Sequence, residues 1–215
     1  MDIKSMNMGV KKVNLGYFNH TAAAAHPNKI ALIDLSREGD HVLTHSELDY
    51  RMDSVTTLLS TLGMSAGDRL LLAMGNRFEF IEIFFGAMRA GVVPIPLNIK
   101  LGSDTINFVI KDSGCTGAII EPGCNPEIVN IIEQHNLATL IAVNPTPPGW
   151  TNYEKSLKDV HSESFTPPNI KHGEVAFLPY TSGSTGRPKG VLLTHKGMLW
   201  GIKTAQKYWP CKPEE

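Results

Sequence analysis

Apolar residues after position 44 recur in a helical pattern. Thr44 and Glu47 have the spacing of a capping box, so a helix is predicted to begin at Thr44 and to end before Gly63 and Gly67. Steps of three or four residues place its apolar positions on one face, namely Leu48, Met52, Val55, Leu59 and Leu62. Before this helix, the short segments 30–35 and 41–43 flank a turn-like Arg-Glu-Gly-Asp sequence and predict a hairpin.

From residue 69 to residue 143, compact apolar segments alternate with amphipathic ones. The segments 69–74, 92–96, 115–120 and 140–143 are predicted as strands. Helices are predicted between them. Asn76 is expected to cap the first, Ser103 to open the second, and Asn125 to cap the third, with Pro126 at its first helical position. Their apolar positions are Ile81, Phe84, Phe85 and Met88, then Ile106, Val109 and Ile110, then Ile128, Ile131 and Ile132. Near-continuous apolar strands separated by helices are typical of a parallel sheet buried on both faces.

The predicted fold class is therefore α/β, with a doubly wound, mainly parallel sheet flanked by helices over residues 1–144. Residues 145–172 are rich in turn-forming residues, with a short helix expected around 153–160, and are predicted as a connector. Residues 173–215 are predicted to start a second α/β subdomain, with strands at 174–180 and 191–193. Thr194 is expected to cap its helix. The buried face of that helix is predicted to contain Met198, Ile202, Ala205 and Trp209.

The composition is that of an ordinary globular protein without a dominant charge. Hydrophobic residues make up 42% of the 215 residues and charged residues 19%. The 20 basic and 21 acidic side chains leave a formal net charge of −1, which favours neither nucleic acid nor a membrane surface as a partner. No apolar run is long enough for a secretory signal or an integral membrane segment. Cys115, Cys124 and Cys211 lack metal-site spacing, which indicates reduced thiols and a cytoplasmic enzyme.

Several other residues receive structural interpretations. Glu79 and Glu82, with Arg77 and Arg89 nearby, are predicted to form a solvated helix face. His195 follows the last predicted strand and is interpreted as a structural capping residue rather than as one that orients a loop. Four phenylalanines are assigned to the core: Phe78, Phe80, Phe84 and Phe85.

The segment from Thr181 to Gly190 carries the candidate chemistry. It contains four hydroxyl side chains, three glycines, two cations and one proline, and no apolar side chain besides the proline. Glycines allow backbone N–H groups to approach an oxyanion closely, and hydroxyl groups add donors that rotate to suit a phosphate. Lys189 adds a mobile positive charge. The segment therefore predicts a phosphate-binding loop between two strands.

Two alternatives fit this segment less well. A flexible Ser/Gly linker would be polar on both sides, whereas this segment lies between apolar strands. The common P-loop requires four residues between its glycines, but only two separate Gly183 from Gly186. Pro188 stands where that motif has its second glycine, and Gly190 replaces its magnesium-binding hydroxyl. A dinucleotide-type G-x-G-x-x-G is absent.

The sequence from Tyr180 to Gly190, YTSGSTGRPKG, resembles the phosphate loop of the adenylate-forming (AMP-binding) superfamily. This superfamily includes acyl- and aryl-CoA synthetases, firefly-type luciferases and the adenylation domains of peptide synthetases. Residues 43–48 and 86–98 also resemble family segments, and the resemblance covers the chain from about residue 15. Residues 94–98 and 178–181 are more similar to acyl-CoA synthetases, including long-chain fatty-acid–CoA ligases, than to peptide-synthetase modules.

The resemblance implies a two-step reaction with ATP, Mg2+ and coenzyme A. A carboxylic acid, expected to be a fatty acid, attacks the α-phosphate of ATP, and coenzyme A then displaces AMP. In the family the loop closes over the β- and γ-phosphates. That role is carried over to Thr181, Ser182, Gly183, Ser184, Thr185, Gly186 and Lys189. An amino acid or an aryl acid remains an alternative substrate, and whether the protein forms a homo-oligomer stays open.

Members of this family are usually much longer than 215 residues. The residues for adenine, acyl and coenzyme A recognition, and the acidic residue that helps to bind magnesium, are expected beyond Glu215. We therefore expect this segment to hold no catalytic residue and no metal ligand, and to be inactive alone. The alternative is a non-catalytic protein in which the truncated module binds nucleotide weakly or acts as a scaffold.

Overall fold

The computed structural model describes residues 13–36, 41–125, 127–160, 166–171, 173–182 and 186–209. The strands are β1 (Ile30–Asp34), β2 (His41–Thr44), β3 (Arg69–Ala73), β4 (Val93–Pro96), β5 (Gly117–Ile120), β6 (Thr139–Ala142), β7 (Thr151–Asn152), β8 (Val175–Phe177), β9 (Tyr180–Thr181), β10 (Lys189–Gly190) and β11 (Leu193–Thr194). The α-helices are α1 (His20–Ala25), α2 (His45–Thr61), α3 (Phe78–Arg89), α4 (Ser103–Ser113), α5 (Ile128–Glu133), α6 (Tyr153–Asp159) and α7 (His195–Tyr208). Two 3-10 turns lie at Leu15–Tyr17 and Pro122–Cys124.

A five-stranded parallel sheet forms the centre of the molecule. Its strand order is β4-β3-β5-β6-β7, and each neighbouring pair is parallel. The chain first steps from β3 to β4 on one side and then returns past β3 to β5. This reversal of direction defines a doubly wound sheet. The predicted fold class is thereby confirmed.

Each face of the sheet is covered by helices because successive strand residues point to opposite sides. Leu70 and Leu72 of β3 face the layer formed by α2, α3 and α6. Leu71 and Ala73 face the layer formed by α4 and α5. Both faces are buried, which explains why the sequence of β3 is apolar without alternation.

The helix ends largely follow the predicted signals. Thr44 forms a capping box with Glu47 at the start of α2, and Gly114 ends α4 in the left-handed conformation at φ 58°. The predicted cap Asn76 is wrong, because α3 begins one residue later with Arg77 at the N-cap and without a side-chain cap bond. The predicted cap Asn125 is also wrong, because α5 begins at Ile128 with Glu127 at the N-cap, although Asn125 accepts the N–H of Glu127 at 3.0 Å. Pro126 lies outside the described residues.

The predicted solvated face of α3 is wrong. Glu79 is 1% exposed, while Glu82 and Arg89 are 0% exposed. Glu82 is bonded to Arg51 and to the hydroxyl of Tyr153, and Glu79 is paired with Arg77. Arg89 donates to Asp49, Asp53 and the carbonyl of Gly16. Burial of these groups is possible because each charge has an oppositely charged partner, which for Glu82 and Arg89 comes from another helix.

The aromatic side chains of α3 lie at the margin of the core. Phe78, Phe80, Phe84 and Phe85 are partly buried rather than fully buried. Phe84 stacks on Phe80 at 5.7 Å and meets Phe177 of β8 edge-on at 5.2 Å. The phenylalanines of α3 therefore connect the parallel-sheet layer to β8.

The segment predicted as a connector contributes to the sheet. Within it, β7 pairs in parallel with β6, and α6 follows as predicted for residues 153–160. Asn152 accepts the N–H of Lys155 and so caps α6. The division of the chain at residue 144 stays a prediction.

The strand predicted at 174–180 is wrong in one respect, because it is interrupted. Val175–Phe177 forms β8, Leu178 and Pro179 lie outside any strand, and β9 follows. Proline has no N–H to donate to a ladder, so the interruption falls where the sequence requires it. The strand predicted at 191–193 begins only at Leu193, where β11 pairs with β8.

The predicted buried face of α7 is also wrong. Thr194 caps the helix as predicted, and Met198 is partly buried. However, Trp209 is 76% exposed, Ile202 is 40% exposed, and Ala205 is also exposed. Other described residues pack only against the first turns of α7. Among the described residues, no element packs over the rest of the helix. None of the described helices is both long and apolar enough to cross a bilayer.

Candidate functional site

A short hairpin closes the candidate phosphate loop. Strands β9 and β10 are antiparallel, with Lys189 opposite Thr181 and Gly190 opposite Tyr180. The N–H of Val191 continues this contact by donating to the carbonyl of Pro179 at 2.9 Å. Thr181 and Lys189, which the sequence assigned to one site, are therefore brought together at the base of the loop.

The described part of the loop faces solvent. Thr181, Ser182, Gly186 and Lys189 are exposed. Gly186 has φ 88°, a left-handed conformation that favours glycine. Within the described residues, Lys189 makes no ion pair, so its charge is accessible to a ligand. Gly183, Ser184 and Thr185 lie outside the described residues.

Helix α4 supports both ends of the loop. The hydroxyl of Tyr180 donates to Oδ2 of Asp112 at 2.7 Å. On the other end, the Arg187 guanidinium lies 5.7 Å from the centroid of the Phe108 ring, within cation–π range. Burial, followed by the hydrogen bond to the Asp112 carboxylate, raises the pKa of Tyr180. Tyr180 therefore stays protonated and acts as a donor.

The hairpin is closely packed at its base. A Cβ added to Gly190 would lie 3.2 Å from Cζ of Tyr180 and 3.1 Å from Cδ1 of Leu178. The N–H of Leu178 donates to the carbonyl of Pro94 at 3.1 Å, which connects the hairpin to β4 of the parallel sheet. The loop is thus attached to the sheet on one side and to α4 on the other.

His195 is a buried polar residue close to the loop hairpin. It is 1% exposed and starts α7 directly after β11. Its Nδ1 accepts the backbone N–H of Leu15 at 3.0 Å, and the backbone N–H of His195 donates to the carbonyl of Glu174 at 3.1 Å. Burial lowers the pKa of His195 to about 4, so the imidazole is neutral at pH 7. The capping role predicted for His195 is wrong, because Thr194 provides the cap.

A crevice at the carboxyl ends of β3 and β4 is not lined by any described residue of the loop. It has a volume of about 490 Å3 and is lined by residues 74–76 and 96–100 together with Phe80. Ligands of doubly wound sheets commonly bind at such carboxyl ends. In this chain the contacts described for the loop region are with α4, through Tyr180 at its base and Arg187.

The side chains of the loop suit a phosphate rather than a metal ion. Backbone N–H groups, hydroxyl donors and an ammonium group suit phosphate oxygens, whereas the segment 181–190 contains none of the carboxylates that commonly hold Mg2+. Over the described parts of the chain, no cluster of His, Cys, Asp or Glu could hold a metal. The predicted absence of a metal ligand in the segment stays a prediction.

Sequence reasoning missed the residues that support the loop. Asp112 and Phe108 belong to a helix whose sequence gives no sign of a contact with Tyr180 or Arg187. The bond between Leu15 and His195 joins residues 180 positions apart. The one sequence signal that could have pointed to a contact of His195 was its position as a polar residue next to the predicted cap Thr194.

Together, the geometry defines an α/β protein with a doubly wound parallel sheet and a separate hairpin that carries a glycine- and hydroxyl-rich loop. The family model of the AMP-binding enzymes matches residues 19–215. The chain therefore belongs to the AMP-binding enzyme family.

Individual relatives include ligases for different acids. The chain is 29% identical over 191 residues to the long-chain-fatty-acid–CoA ligase FadD13 of Mycobacterium tuberculosis, covering 86% of this chain and 36% of that protein. It is 30% identical over 184 residues to a 4-hydroxybenzoate–CoA/benzoate–CoA ligase of Rhodopseudomonas palustris, covering 83% of this chain and 32% of that protein. The chain thus spans about a third of the length of these relatives.

A solved structure supports the same assignment. The Mycobacterium tuberculosis fatty acyl CoA synthetase superposes with a TM-score of 0.70 at 26% identity, covering 93% of this chain and 37% of that protein. The parallel sheet flanked by helices is therefore the architecture of an adenylate-forming enzyme.

Proposed function

We propose that the gene product containing this chain activates a carboxylic acid with ATP as an acyl-adenylate and then transfers the acyl group to coenzyme A. Family membership supports the first step, and the CoA ligases among its relatives support the second. The observation that carries the proposal is the hairpin pairing of Thr181 with Lys189 at the base of an exposed hydroxyl- and glycine-rich loop.

In this proposal the loop binds the β- and γ-phosphates of ATP. Thr181, Ser182 and the backbone amides of the loop donate hydrogen bonds to phosphate oxygens, and Lys189 adds a positive charge. Negative charge builds up on the departing pyrophosphate, so donors and a cation that are already in position lower the barrier. Hydrogen bonds to an ionised group contribute about 1.5–3 kcal/mol each, so several suffice to hold the polyphosphate.

A fatty acid is the first candidate substrate, supported by the 29% identity with the long-chain-fatty-acid–CoA ligase. An aromatic acid is the second, supported by the 30% identity with the benzoate–CoA ligase. Both acids enter the same reaction, because the carboxylate attacks the α-phosphate in each case. They differ in the pocket that holds the rest of the molecule.

We further propose that the 215-residue chain binds nucleotide without completing the reaction. The chain spans 36% of the length of the fatty-acid ligase and 32% of the benzoate ligase. The loop can form within this chain because its hairpin and its supporting helix are both present.

Acid-dependent exchange of labelled pyrophosphate into ATP tests the proposed function. The gene product is supplied with fatty acids of increasing length and, in parallel, with benzoate and 4-hydroxybenzoate. We expect exchange with one of these series and release of AMP when coenzyme A is added. If no carboxylic acid supports exchange while the folded protein binds ATP, the ligase proposal is wrong.

A further inference from the structure

Strand β11, which follows the loop hairpin in the chain, leads into a polar contact within an apolar environment. Thr194 pairs with Val175 in the last ladder, and His195 follows as the first residue of α7. Nδ1 of His195 accepts the N–H of Leu15 at 3.0 Å. Nδ1 must be unprotonated to accept this bond, so the imidazole proton lies on Nε2.

The partner of His195 is fixed to the parallel-sheet layer. Asn14 donates from Nδ2 to the carbonyl of Met88 at 2.8 Å, and Arg89 donates from Nε to the carbonyl of Gly16 at 2.8 Å. Gly16 lies so close to α3 that an added Cβ would be 2.6 Å from the backbone N of Arg89. The 3-10 turn Leu15–Tyr17 therefore moves with α3.

An apolar cluster surrounds this contact. Leu15, Met88 and Ala176 form its buried centre. Partly buried side chains pack against them, namely Phe84, Phe85, Phe177, Met198 and Leu199. Apolar packing is non-directional, whereas a hydrogen bond shielded from water fixes distance and direction. The imidazole is thus the directional contact within this apolar cluster, in addition to the Leu178–Pro94 bond that reaches β4.

We infer that His195 is a positioning residue for the loop at 181–190, acting as the acceptor that fixes the loop hairpin to the parallel-sheet layer through the Leu15 amide. His195 does not touch the loop ligand. It orients β11, and through the β8–β11 and β9–β10 ladders it sets where Thr181 and Lys189 lie relative to α4. The identity of the ligand rests on the proposed function, whereas the joint itself does not.

One pair of variants isolates the donor. Leu15→Pro removes the N–H and shortens the side chain, and Leu15→Ala shortens the side chain but keeps the N–H. Proline is tolerated here because Leu15 is the first residue of a 3-10 turn and Asn14 has an extended backbone at φ −85° and ψ 116°. The difference between the two variants therefore reports the bond to His195.

Hydrogen exchange in the 215-residue chain measures this difference. We expect the amides of Leu178 and Val191, which donate to Pro94 and Pro179, to exchange about tenfold faster in Leu15→Pro than in Leu15→Ala. The amide of Val143, which donates to Ile120 within the parallel sheet, serves as the internal control and should be unchanged. Equal exchange at Leu178 and Val191 in both variants would overturn the inference.

A second pair of variants tests the acceptor. The amide oxygen of asparagine is a δ atom like Nδ1, so His195→Asn keeps an acceptor near the Leu15 N–H, whereas His195→Leu removes it. In the pyrophosphate exchange assay we expect His195→Leu to raise KM for ATP about tenfold without changing KM for the acid. His195→Asn should keep KM for ATP close to the wild-type value. Equal KM values for ATP in the two variants contradict the positioning role.

The two readouts separate this inference from the proposed function. If the wild-type protein shows no pyrophosphate exchange, the ligase proposal fails, and hydrogen exchange in the two Leu15 variants still decides the role of His195. If pyrophosphate exchange is present but the Leu15 variants do not differ at the Leu178 and Val191 amides, the positioning role fails while the ligase proposal stands.

Discussion

The hydroxyl of Tyr180 donates a hydrogen bond to Oδ2 of Asp112 at 2.7 Å and so connects the first strand of the loop hairpin to the last turn of α4. The Tyr180 ring also contacts Gly190 on the opposite strand. One side chain therefore touches both ends of the loop and its support. Movement of α4 relative to the hairpin has to break this bond.

The Tyr180–Asp112 bond is expected to couple the two residues energetically. Tyr180→Phe and Asp112→Asn should each weaken ATP binding, because each loses the bond or its charge assistance, and the double variant should be little worse than either. We expect a coupling energy of about 1 kcal/mol from a double-mutant cycle measured by calorimetric titration with ATP. Additive losses would mean that the two residues act independently.

Lys189 is expected to act mainly on the chemical step. Lys189→Ala should slow acid-dependent pyrophosphate exchange about a hundredfold, with a smaller effect on binding of the acid, because the cation meets charge that develops on pyrophosphate. Lys207→Ala, which removes a cation from the end of α7, is the matched control and should leave the rate unchanged. A normal exchange rate in Lys189→Ala is incompatible with the assigned role.

The buried Glu82 should contribute strongly to stability. Burial raises the pKa of Glu82, while its bonds to Arg51 and Tyr153 oppose that shift. Glu82→Ala leaves the Arg51 guanidinium without its buried partner, so we expect a loss of about 3–5 kcal/mol in the free energy of unfolding. Tyr153→Phe should lower the free energy of unfolding by about 1 kcal/mol, because it removes one hydrogen bond to Glu82.

The comparison for Glu82 is Glu154, which also pairs with Arg51 but is partly exposed. Glu154→Ala should cost less than about 1 kcal/mol, because water can replace the carboxylate. Urea denaturation of the three variants provides the values. Equal losses in Glu82→Ala and Glu154→Ala would argue against a buried, structurally required ion pair.

Protonation of His195 should destabilise the fold at acid pH. Burial lowers its pKa from the usual 6.5 to about 4 in the folded chain. Between these values the unfolded chain binds a proton at His195 and the folded chain does not, so stability is fully present above pH 6.5 and falls as the pH drops towards 4. The measurement is the free energy of unfolding from pH 7.5 to 4 for the wild type and for His195→Asn. We expect a shallower decline in the variant, and parallel curves would contradict the buried neutral imidazole.

The contact between the Leu15–Tyr17 turn and α3 leaves no room for a side chain at Gly16. A Cβ there would lie 2.6 Å from both the N of Arg89 and the carbonyl oxygen of Phe85. Gly16→Ala should therefore destabilise the chain by about 1–3 kcal/mol in thermal or urea unfolding. Gly102→Ala is the control, because Gly102 has φ −70° and no atom within 4 Å of its added Cβ. Similar stability of the two variants would show that the turn can move away from α3.

The parallel layer was predictable because its signals are local. The capping box at Thr44, the left-handed Gly114 and the apolar strand at Arg69–Ala73 each depend on a few neighbouring residues. The alternation of strands and helices then leaves few topologies open, and a doubly wound sheet is one of them. The strand ends differed by one or two residues, as expected where ladders fray.

The errors fall on residues whose environment depends on distant partners. Glu82 and Arg89 have the sequence pattern of a solvated face, yet Arg51, Asp49 and Tyr153 approach them from other helices. On α7 the opposite occurs, because an apolar face such as that of Trp209 is buried only where another element covers it. Periodicity identifies a face but not its neighbour.

By itself the sequence determined the types of most elements, the parallel sheet and the donor-rich composition of the loop, since these follow from the spacing of apolar residues, caps, glycines and hydroxyls along a short stretch of chain. Only the tertiary structure decided that Thr181 meets Lys189, that Tyr180 binds Asp112 and that His195 accepts the amide of Leu15. The last two contacts join residues 68 and 180 positions apart in the chain. They form because packing of the layers brings their hydrogen-bonding groups within reach, and no local pattern encodes that distance.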